Sequence, residues 1–323
     1  MYRQSFRNSI AFITVMSSII AVCSALPAGE TAWPAKPVQV IVPASAGGGT
    51  DVSCRIVTKY LSEEQGQPVM VSNVRGAGGS IGIKQAMEAK PDGYTMLYTH
   101  EDIVTNEVLG VSDFGYRDFA IAAKIYDVDL TTVIASKQYK NLEDVKKAAL
   151  ANPGDVTFAI DVATSAHLVP LVMQEEMGIE MNLVDSGSMN DRIPLLISGQ
   201  LDLTFAPLGI VKDYVASGDV NCLGTLAAER SSLRPDLPTF REQGVDVVVN
   251  KYFVLYFPKG TPAGIVAKCA DALERVSKNP EFIASAGNLL YKVAFARADG
   301  TLEYLEGSEA MMNEYRELIM GAR

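Results

Sequence analysis

Short apolar runs rich in β-branched residues alternate along the chain with longer segments whose apolar positions recur at helical spacing. The short runs predict strands at residues 38–42, 69–73, 94–99, 130–135, 156–160, 180–184, 201–206, 220–225, 245–249 and 252–257. The longer segments predict helices at residues 50–61, 81–89, 142–151, 168–177, 192–198, 210–216, 263–275, 281–286 and 302–319. Because this alternation is typical of βαβ units, the sequence predicts an α/β fold with mostly parallel sheets.

Two glycine-rich loops, residues 44–49 and 75–79, follow the first two predicted strands, and each leads into a predicted helix. Thr50 and Asp51 are the candidate N-caps of the first of these helices. Unpaired backbone N–H groups and the positive end of the helix dipole attract anions, and glycine lets a ligand approach the backbone closely. Neither loop has the spacing of a nucleotide-binding motif. The two loops therefore predict an anion site at one sheet edge.

Composition narrows the range of functions. A chain of 323 residues is long enough for two domains. Lys and Arg number 28 against 38 Asp and Glu, and this net charge of −10 argues against a nucleic-acid partner. Two histidines, and the lack of an HExxH motif, leave little for a catalytic triad or a metal centre. The sequence predicts a protein that is not an enzyme and has no cofactor and no metal site.

The first 28 residues are typical of a secretory signal peptide. Arg3 and Arg7 precede an apolar run over residues 10–22, and small residues follow. A run of this length is too short to cross the ~30 Å hydrocarbon core of a bilayer. We therefore expect export to the periplasm. A lipid anchor at Cys23 is the alternative, which bulky Val22 beside the cysteine disfavours.

Motifs along the whole chain resemble one family in order. They include Trp33-Pro34-Ala35-Lys36-Pro37, Gly47-Gly48-Gly49-Thr50-Asp51, Gly76-Ala77-Gly78-Gly79, Pro91-Asp92-Gly93-Tyr94, Ser165-Ala166-His167, Gly199-Gln200-Leu201-Asp202 and Phe257-Pro258-Lys259-Gly260-Thr261-Pro262. As a set, they resemble the extracytoplasmic solute receptors of tripartite tricarboxylate transporters, the Bug or TctC family.

The resemblance implies a periplasmic binding protein fold of type II, with two α/β lobes, two crossover segments and a ligand cleft between the lobes. Lobe one would comprise residues 33–128 and 255–323, and lobe two residues 129–254. The implied function is to capture a small carboxylate and deliver it to the membrane permease subunits of a tripartite tricarboxylate transporter, as a monomer. The alternative is a receptor whose liganded form signals to a membrane sensor kinase.

The resemblance also implies candidate ligand-binding residues. On lobe one they are the two glycine loops and the end of the third strand, namely Ser45, Ala46, Gly47, Gly49, Thr50, Asp51, Gly76, Ala77, Gly78, Gly79, Thr99 and His100. On lobe two they are Asp161, Thr164, Ser165, His167, Ser186, Gly187 and Pro207. Asp51 is favoured as a brace of its loop, since a carboxylate repels an anionic ligand. For His167, packing and ligand contact are both open, and Arg75 is open between pairing with a carboxylate and a structural role.

Several acids at the predicted strand ends depart from the family pattern. The third loop reads Thr99-His100-Glu101-Asp102, and Asp161 and Asp185 follow strands of lobe two. Like charges oppose a simple polyanion such as citrate. We therefore expect an amino-acid-like ligand, with a carboxylate at the lobe-one loops and a neutral or cationic group, such as an amine, facing Asp161 or Asp185. A metal-bridged carboxylate is the weaker alternative.

Overall fold

The computed structural model describes residues 33–162, 164–249 and 251–321, so the predicted signal peptide and Cys23 lie outside the described residues. The strands are β1 Val38–Val42, β2 Val69–Asn73, β3 Thr95–Thr99, β4 Phe119–Asp127, β5 Thr131–Ser136, β6 Thr157–Ile160, β7 Asn182–Asp185, β8 Leu203–Pro207, β9 Val220–Thr225, β10 Tyr252–Pro258 and β11 Lys292–Arg297. The helices are α1 Gly49–Gln65, α2 Ser80–Met87, α3 Asp102–Val108, α4 Leu142–Ala151, α5 Ser165–Met177, α6 Met189–Ile197, α7 Leu208–Ala216, α8 Ala263–Ser277, α9 Pro280–Asn288 and α10 Ala298–Gly321.

Two mixed sheets organise these elements. The six-stranded sheet has the order β11-β4-β10-β3-β1-β2, and the five-stranded sheet the order β7-β6-β8-β5-β9. The triplets β2-β1-β3 and β7-β6-β8 are parallel, whereas β4, β5, β9, β10 and β11 make antiparallel pairs. The prediction of mostly parallel sheets is therefore wrong, because the strands next to the passages between the sheets run against the parallel triplets.

The sequence pattern missed β4, β11 and α3. In β4, three alanines and Lys124 dilute the apolar run, and alanine is depleted in strands. Conversely, residues 245–249 are not a strand. Val245, Val247 and Val249 alternate because they are buried in the second lobe. Their alternation reports burial and not sheet pairing.

The chain passes between the sheets twice. It leaves the six-stranded sheet after β4 and enters the five-stranded sheet at β5, and it returns from β9 to β10. We call the six-stranded sheet with its helices lobe one, and the five-stranded sheet with its helices lobe two. The whole of β10 pairs within lobe one, whereas the boundary predicted from the sequence, between residues 254 and 255, falls inside this strand.

Each lobe has its own core, and the C-terminal helix contacts both. In lobe one, Tyr98 and Phe253 stack with ring centroids 5.1 Å apart. Along α10, Leu305 packs beneath the lobe-one sheet, and Met312 is buried in the main lobe-two cluster. The helix therefore spans the junction between the lobes. Among the described residues, no helix has both the length and the hydropathy needed to cross a membrane.

Candidate functional site

A cleft of about 330 Å³ lies between the lobes, at the carboxyl ends of the parallel strands. In open α/β sheets these ends meet at one edge, where the connecting loops are free to form a site. Lobe one contributes the loops after β1, β2 and β3, and lobe two those after β6, β7 and β8. The Asn190 side-chain amide donates to the Ala46 carbonyl oxygen across the cleft at 3.0 Å. The two lobes thus touch over the cleft.

The Asp51 carboxylate stabilises the first glycine loop through hydrogen bonds. It accepts from the backbone N–H of Gly47 at 2.8 Å, from Arg55 at 3.0 Å and from the Asn73 amide at 2.9 Å. Burial raises the pKa of Asp51, but these hydrogen bonds outweigh it and hold the pKa below its usual value. Gly47 has a φ of 78°, which favours glycine. Asp51 therefore shapes the loop, as the sequence favoured, although Gly48 and not Asp51 or Thr50 is the N-cap of α1.

The second glycine loop winds through a left-handed stretch before α2. Gly76, Gly78 and Gly79 have φ values of 131°, 59° and 90°, and Ala77 between them has a φ of 47°. The Asn106 amide of α3 donates to the Gly78 carbonyl oxygen at 3.0 Å and fixes the loop from behind. The loop is therefore held in a conformation that turns its backbone toward the cleft.

Helix N-termini differ between the two lobes. On lobe one, Gly48 and Gly79 precede α1 and α2, and within the described residues neither helix has a side-chain cap. On lobe two, Thr164 accepts from the backbone N–H of Ala166 to cap α5, and Ser188 forms a capping box with Asp191 at α6. Free N–H groups at a helix start need an acceptor. The lobe-one helix starts are open to an anion, whereas α5 carries its own acceptor and the first turn of α6 already carries the Asp191 carboxylate.

A buried ionic network forms the floor of the cleft. Glu101 accepts from Lys251 at 3.1 Å and from the Ser165 hydroxyl at 3.0 Å, and Asp102 accepts from the Ser165 backbone N–H at 3.1 Å. Burial of Glu101 raises its pKa, but Lys251 and His100 outweigh this effect and lower the pKa below the usual value. The network joins lobe one, lobe two and the return crossover.

His100, Glu101 and Asp102 together have the composition of a cation site. One ligand atom from each lies within 4.8 Å of the others. However, Lys251 already occupies one oxygen of Glu101, and the Ser165 N–H occupies one of Asp102. An ammonium group at this distance repels a metal cation, so the trio serves the interlobe network better than a metal.

Arg192, on the first turn of α6, lines the cleft and is only 5% exposed. Within the part of the chain that the structure describes, its Nε and Nη1 atoms have no hydrogen-bond partner. Burial lowers its pKa, and the charges of Asp161, Asp185 and Asp102 oppose that effect. The cleft therefore contains a buried guanidinium with unused donors.

Most of the predicted site residues line this cleft, namely Ser45, Gly49, Thr50, Gly76, Ala77, Gly78, Gly79, Thr99, His100, Asp161, Thr164, Ser165, Gly187 and Pro207. Others lie beside it without lining it, namely Ala46, Gly47, Asp51, His167 and Ser186. The His167 side chain is buried in the first turn of α5, and Ser186 donates to the Val184 carbonyl oxygen. The structure thus brings both glycine loops together with the strand ends of lobe two.

The predicted set omitted several lining residues, namely Pro43, Ala44, Gly48, Arg75, Asp102, Ala166, Asp185, Ser188, Met189, Asn190, Arg192, Phe205 and Lys251. Of these, Asp185 was expected to face a ligand amine, and Arg75 was left open. For Arg192, the available signal was an arginine at the start of a predicted amphipathic helix that directly follows an acidic loop. Lys251 had no signal, because its position depends on where the chain returns to lobe one.

Asp161 makes the stability of the ligand-free protein depend on pH. Burial and the charge of Asp102 raise its pKa from 3.8 to about 6. Since the folded protein binds this proton more tightly than the unfolded chain, the contribution of Asp161 to stability falls as pH rises through 6. We expect the melting temperature of the ligand-free protein, relative to that of Asp161→Asn, to be lower at pH 7.5 than at pH 5. An equal difference at both pH values would contradict the assignment.

A fall in melting temperature between pH 5 and pH 7.5 cannot come from Glu101. Its pKa is lowered on folding, so its stabilising contribution is present above the ordinary pKa of 4.5 and is lost only as pH falls below that value. Thermal melts at pH 5 and above therefore separate the two carboxylates.

Comparison with known proteins gives a family match over most of the chain. Residues 53–304 match the family described as "Tripartite tricarboxylate transporter family receptor". Protein BugT from Bordetella pertussis is 30% identical over 267 residues, which cover 80% of this chain and 82% of BugT.

Solved structures match the same extent of the chain. The periplasmic binding protein BugD superposes with a TM-score of 0.82 and 25% identity, covering 88% of this chain and 98% of BugD. MatC from Rhodopseudomonas palustris with bound malate superposes with a TM-score of 0.79 and 24% identity, covering 89% of this chain and all of MatC. These matches confirm the two-lobed, type II periplasmic binding protein fold that the sequence motifs implied.

Proposed function

The chain belongs to the tripartite tricarboxylate transporter receptor family, and from this premise we propose that it captures a small carboxylate in the interlobe cleft and delivers it to a membrane permease. Relatives in this family are solute-binding receptors and not enzymes. The chemistry of the cleft supports the same role, because its two open helix N-termini provide an anion site.

The contrast in helix capping is the observation that carries this proposal. The starts of α1 and α2 lie side by side at the cleft and lack side-chain acceptors among the described residues. A ligand carboxylate supplies the missing acceptors and gains from both helix dipoles. Glycines at the same positions leave room for it, since a Cβ would narrow the approach. One carboxylate of the ligand therefore binds the two glycine loops of lobe one.

Closure of lobe two completes the site. Asn190 already bridges to the first glycine loop, and Ser165 bridges to Glu101 and Asp102. A ligand can favour this closed arrangement only through contacts that exist in it, so its far end must bind lobe two. The cleft volume of about 330 Å³ fits a small metabolite and lies at the lower end of the usual range for ligand sites.

Export to the periplasm and delivery to permease subunits are part of the same proposal. The signal-like pattern of residues 1–28 supports export, and the family description supports a tripartite transporter as the recipient. A monomer suffices for this role, because both halves of the cleft come from one chain. Malate bound to MatC is in line with a carboxylate ligand for this fold.

Adding one negative charge to the second glycine loop tests the carboxylate site. Ala77 lines the cleft in the left-handed region, which Asp and Asn both tolerate. We expect Ala77→Asp to weaken binding of a dicarboxylate such as malate or succinate about 10- to 100-fold, because two like charges roughly 5–10 Å apart repel by about 1–3 kcal/mol. The dissociation constant is measured by isothermal titration calorimetry.

Ala77→Asn is the matched control, since it has the same shape without the charge. It should bind within about threefold of the wild-type protein, which is a difference of less than 1 kcal/mol. Equal losses in both variants would mean that the loop contributes only its shape. Unchanged binding by Ala77→Asp would place the carboxylate elsewhere.

A further inference from the structure

We propose that Arg192 binds a second acidic group of the ligand, so that the receptor selects dicarboxylates over monocarboxylates and amines. This inference rests on the proposed function and names the group that lobe two recognises. It follows from the position of Arg192, from the hydrogen bonds that Asp102 and Asp185 already make, and from the few donors at the helix starts around it.

The Arg192 guanidinium is a buried charged group of the cleft with unused hydrogen-bond donors. The Arg192 residue is only 5% exposed, and its Nε and Nη1 atoms lack acceptors among the described residues. It also lies on the first turn of α6, where the positive end of the helix dipole disfavours a cation. A buried, unpaired charge destabilises a fold. An incoming anion removes this penalty.

The nearby acids, by contrast, have other ways to satisfy their charge. Asp102 accepts from the backbone N–H of Ser165, and Asp185 is exposed and accepts from the N–H of Gly187 at 3.3 Å. Asp161 takes up a proton more readily than usual, because burial and Asp102 raise its pKa to about 6. Asp102 and Asp185 therefore do not require a ligand ammonium. The amine expected from the sequence becomes the competing outcome of the test.

Lobe two has few other donors for the far end of the ligand. The Thr164 side chain caps α5, the Asp191 carboxylate lies in the first turn of α6, and the first N–H of α7, that of Leu208, donates to the Leu130 carbonyl oxygen. Lys251 is paired with Glu101. An arginine guanidinium binds a carboxylate through planar, paired donors, which suits a terminal acid. A ligand with one carboxylate at the glycine loops and another at Arg192 would thus bridge both lobes.

Calorimetric titration of the wild-type protein and Arg192→Gln with matched acids tests this proposal. The probes are succinate, glutarate and adipate, the monocarboxylates butyrate, valerate and hexanoate, and 4-aminobutyrate. We expect Arg192→Gln to weaken binding of the preferred dicarboxylate about 100-fold or more. The monocarboxylate of equal length should change by less than about threefold, because it makes no contact with Arg192.

Two further variants control for folding and for charge. Arg230→Gln removes an exposed arginine that pairs with Glu242 at 2.9 Å on the surface of lobe two, and it should leave every dissociation constant unchanged. Arg192→Lys keeps the charge without the planar donors and should bind the dicarboxylate with intermediate affinity. The melting temperature of each ligand-free variant establishes that it is folded.

Three results would overturn the proposal and leave the carboxylate receptor standing. They are equal losses for dicarboxylates and monocarboxylates in Arg192→Gln, equal wild-type affinity for both classes, and preference for 4-aminobutyrate, which would assign an ammonium to Asp161. If the wild-type protein bound none of the probes, the proposed function itself would fail, and this inference with it.

Discussion

Replacing Lys251 with methionine is expected to lower the free energy of unfolding of the ligand-free protein by about 3–5 kcal/mol. Lys251 is 8% exposed and lies 3.1 Å from a carboxylate oxygen of Glu101, which is itself 1% exposed. Without the lysine, Glu101 retains the Ser165 hydroxyl and the contact with His100 but loses its main counter-charge. Urea denaturation at pH 7 measures the loss.

The double variant Glu101→Gln/Lys251→Met tests the reason for this loss. It removes both charges, so it should recover most of the stability that the single variant loses. Lys137→Met breaks an exposed pair with Asp219 and should cost less than about 1 kcal/mol. A loss of that small size for Lys251→Met, or simple additivity in the double variant, would contradict a buried interlobe ion pair.

The second large effect is expected from Gly209→Ala, which should weaken ligand binding at least about tenfold, or about 1.4 kcal/mol. Gly209 lies on the first turn of α7 in lobe two, and a Cβ there would stand 1.7 Å from the Leu289 carbonyl oxygen of lobe one. Lys212 of the same helix donates to the neighbouring Asn288 carbonyl oxygen at 2.6 Å. Because the obstruction is backbone, the lobes must move apart.

Gly287→Ala is the matched control for this variant. Gly287 also lies in a helix beside the same contact, but a Cβ there meets nothing within 4 Å. Both alanines should favour their own helices slightly, so a difference between the variants reports closure and not helix stability. Calorimetry gives the affinities, and small-angle X-ray scattering gives the change in radius of gyration. Equal binding by both variants would mean that this contact does not limit closure.

The lobe-one half of the site could be predicted because its determinants are local. The apolar run of β1 ends at Pro43, and glycines then lead into α1 within seven residues. The observed bounds of β1, β2, α4 and β9 are the predicted ones. Local backbone preference and burial give the same answer in these segments, so the sequence pattern is sufficient.

The lobe-two half could be predicted only in part, because it depends on which face of each helix turns inward. The pattern began α6 at Arg192, whereas the helix begins at Met189. Because the helix begins three residues earlier than predicted, Arg192 lies at the end of its first turn and not at its start, and its side chain is buried at the cleft. A short shift at a helix terminus therefore concealed the group on which the ligand proposal depends.

The strand β4 could not be predicted either, because it depends on contacts with residues that are distant in sequence. The alanine-rich β4 is a strand because it pairs with β10 on one side and β11 on the other, far away in sequence. Lys124 within it is buried, and its ammonium group pairs with Asp127 and lies 3.6 Å from the centre of the Tyr304 ring. Tertiary pairing overrides local propensity here, and a single sequence does not reveal such pairing.

Native mass spectrometry offers the most direct test of the carboxylate receptor. The protein would be incubated with an equimolar mixture of the mono- and dicarboxylic acids named above, the diamides of the dicarboxylic acids, and 4-aminobutyrate. The account predicts one dicarboxylic acid retained per chain and released chemically intact on denaturation. Retention of a diamide in preference to every carboxylic acid, or of no carboxylic acid at all, would contradict the carboxylate receptor.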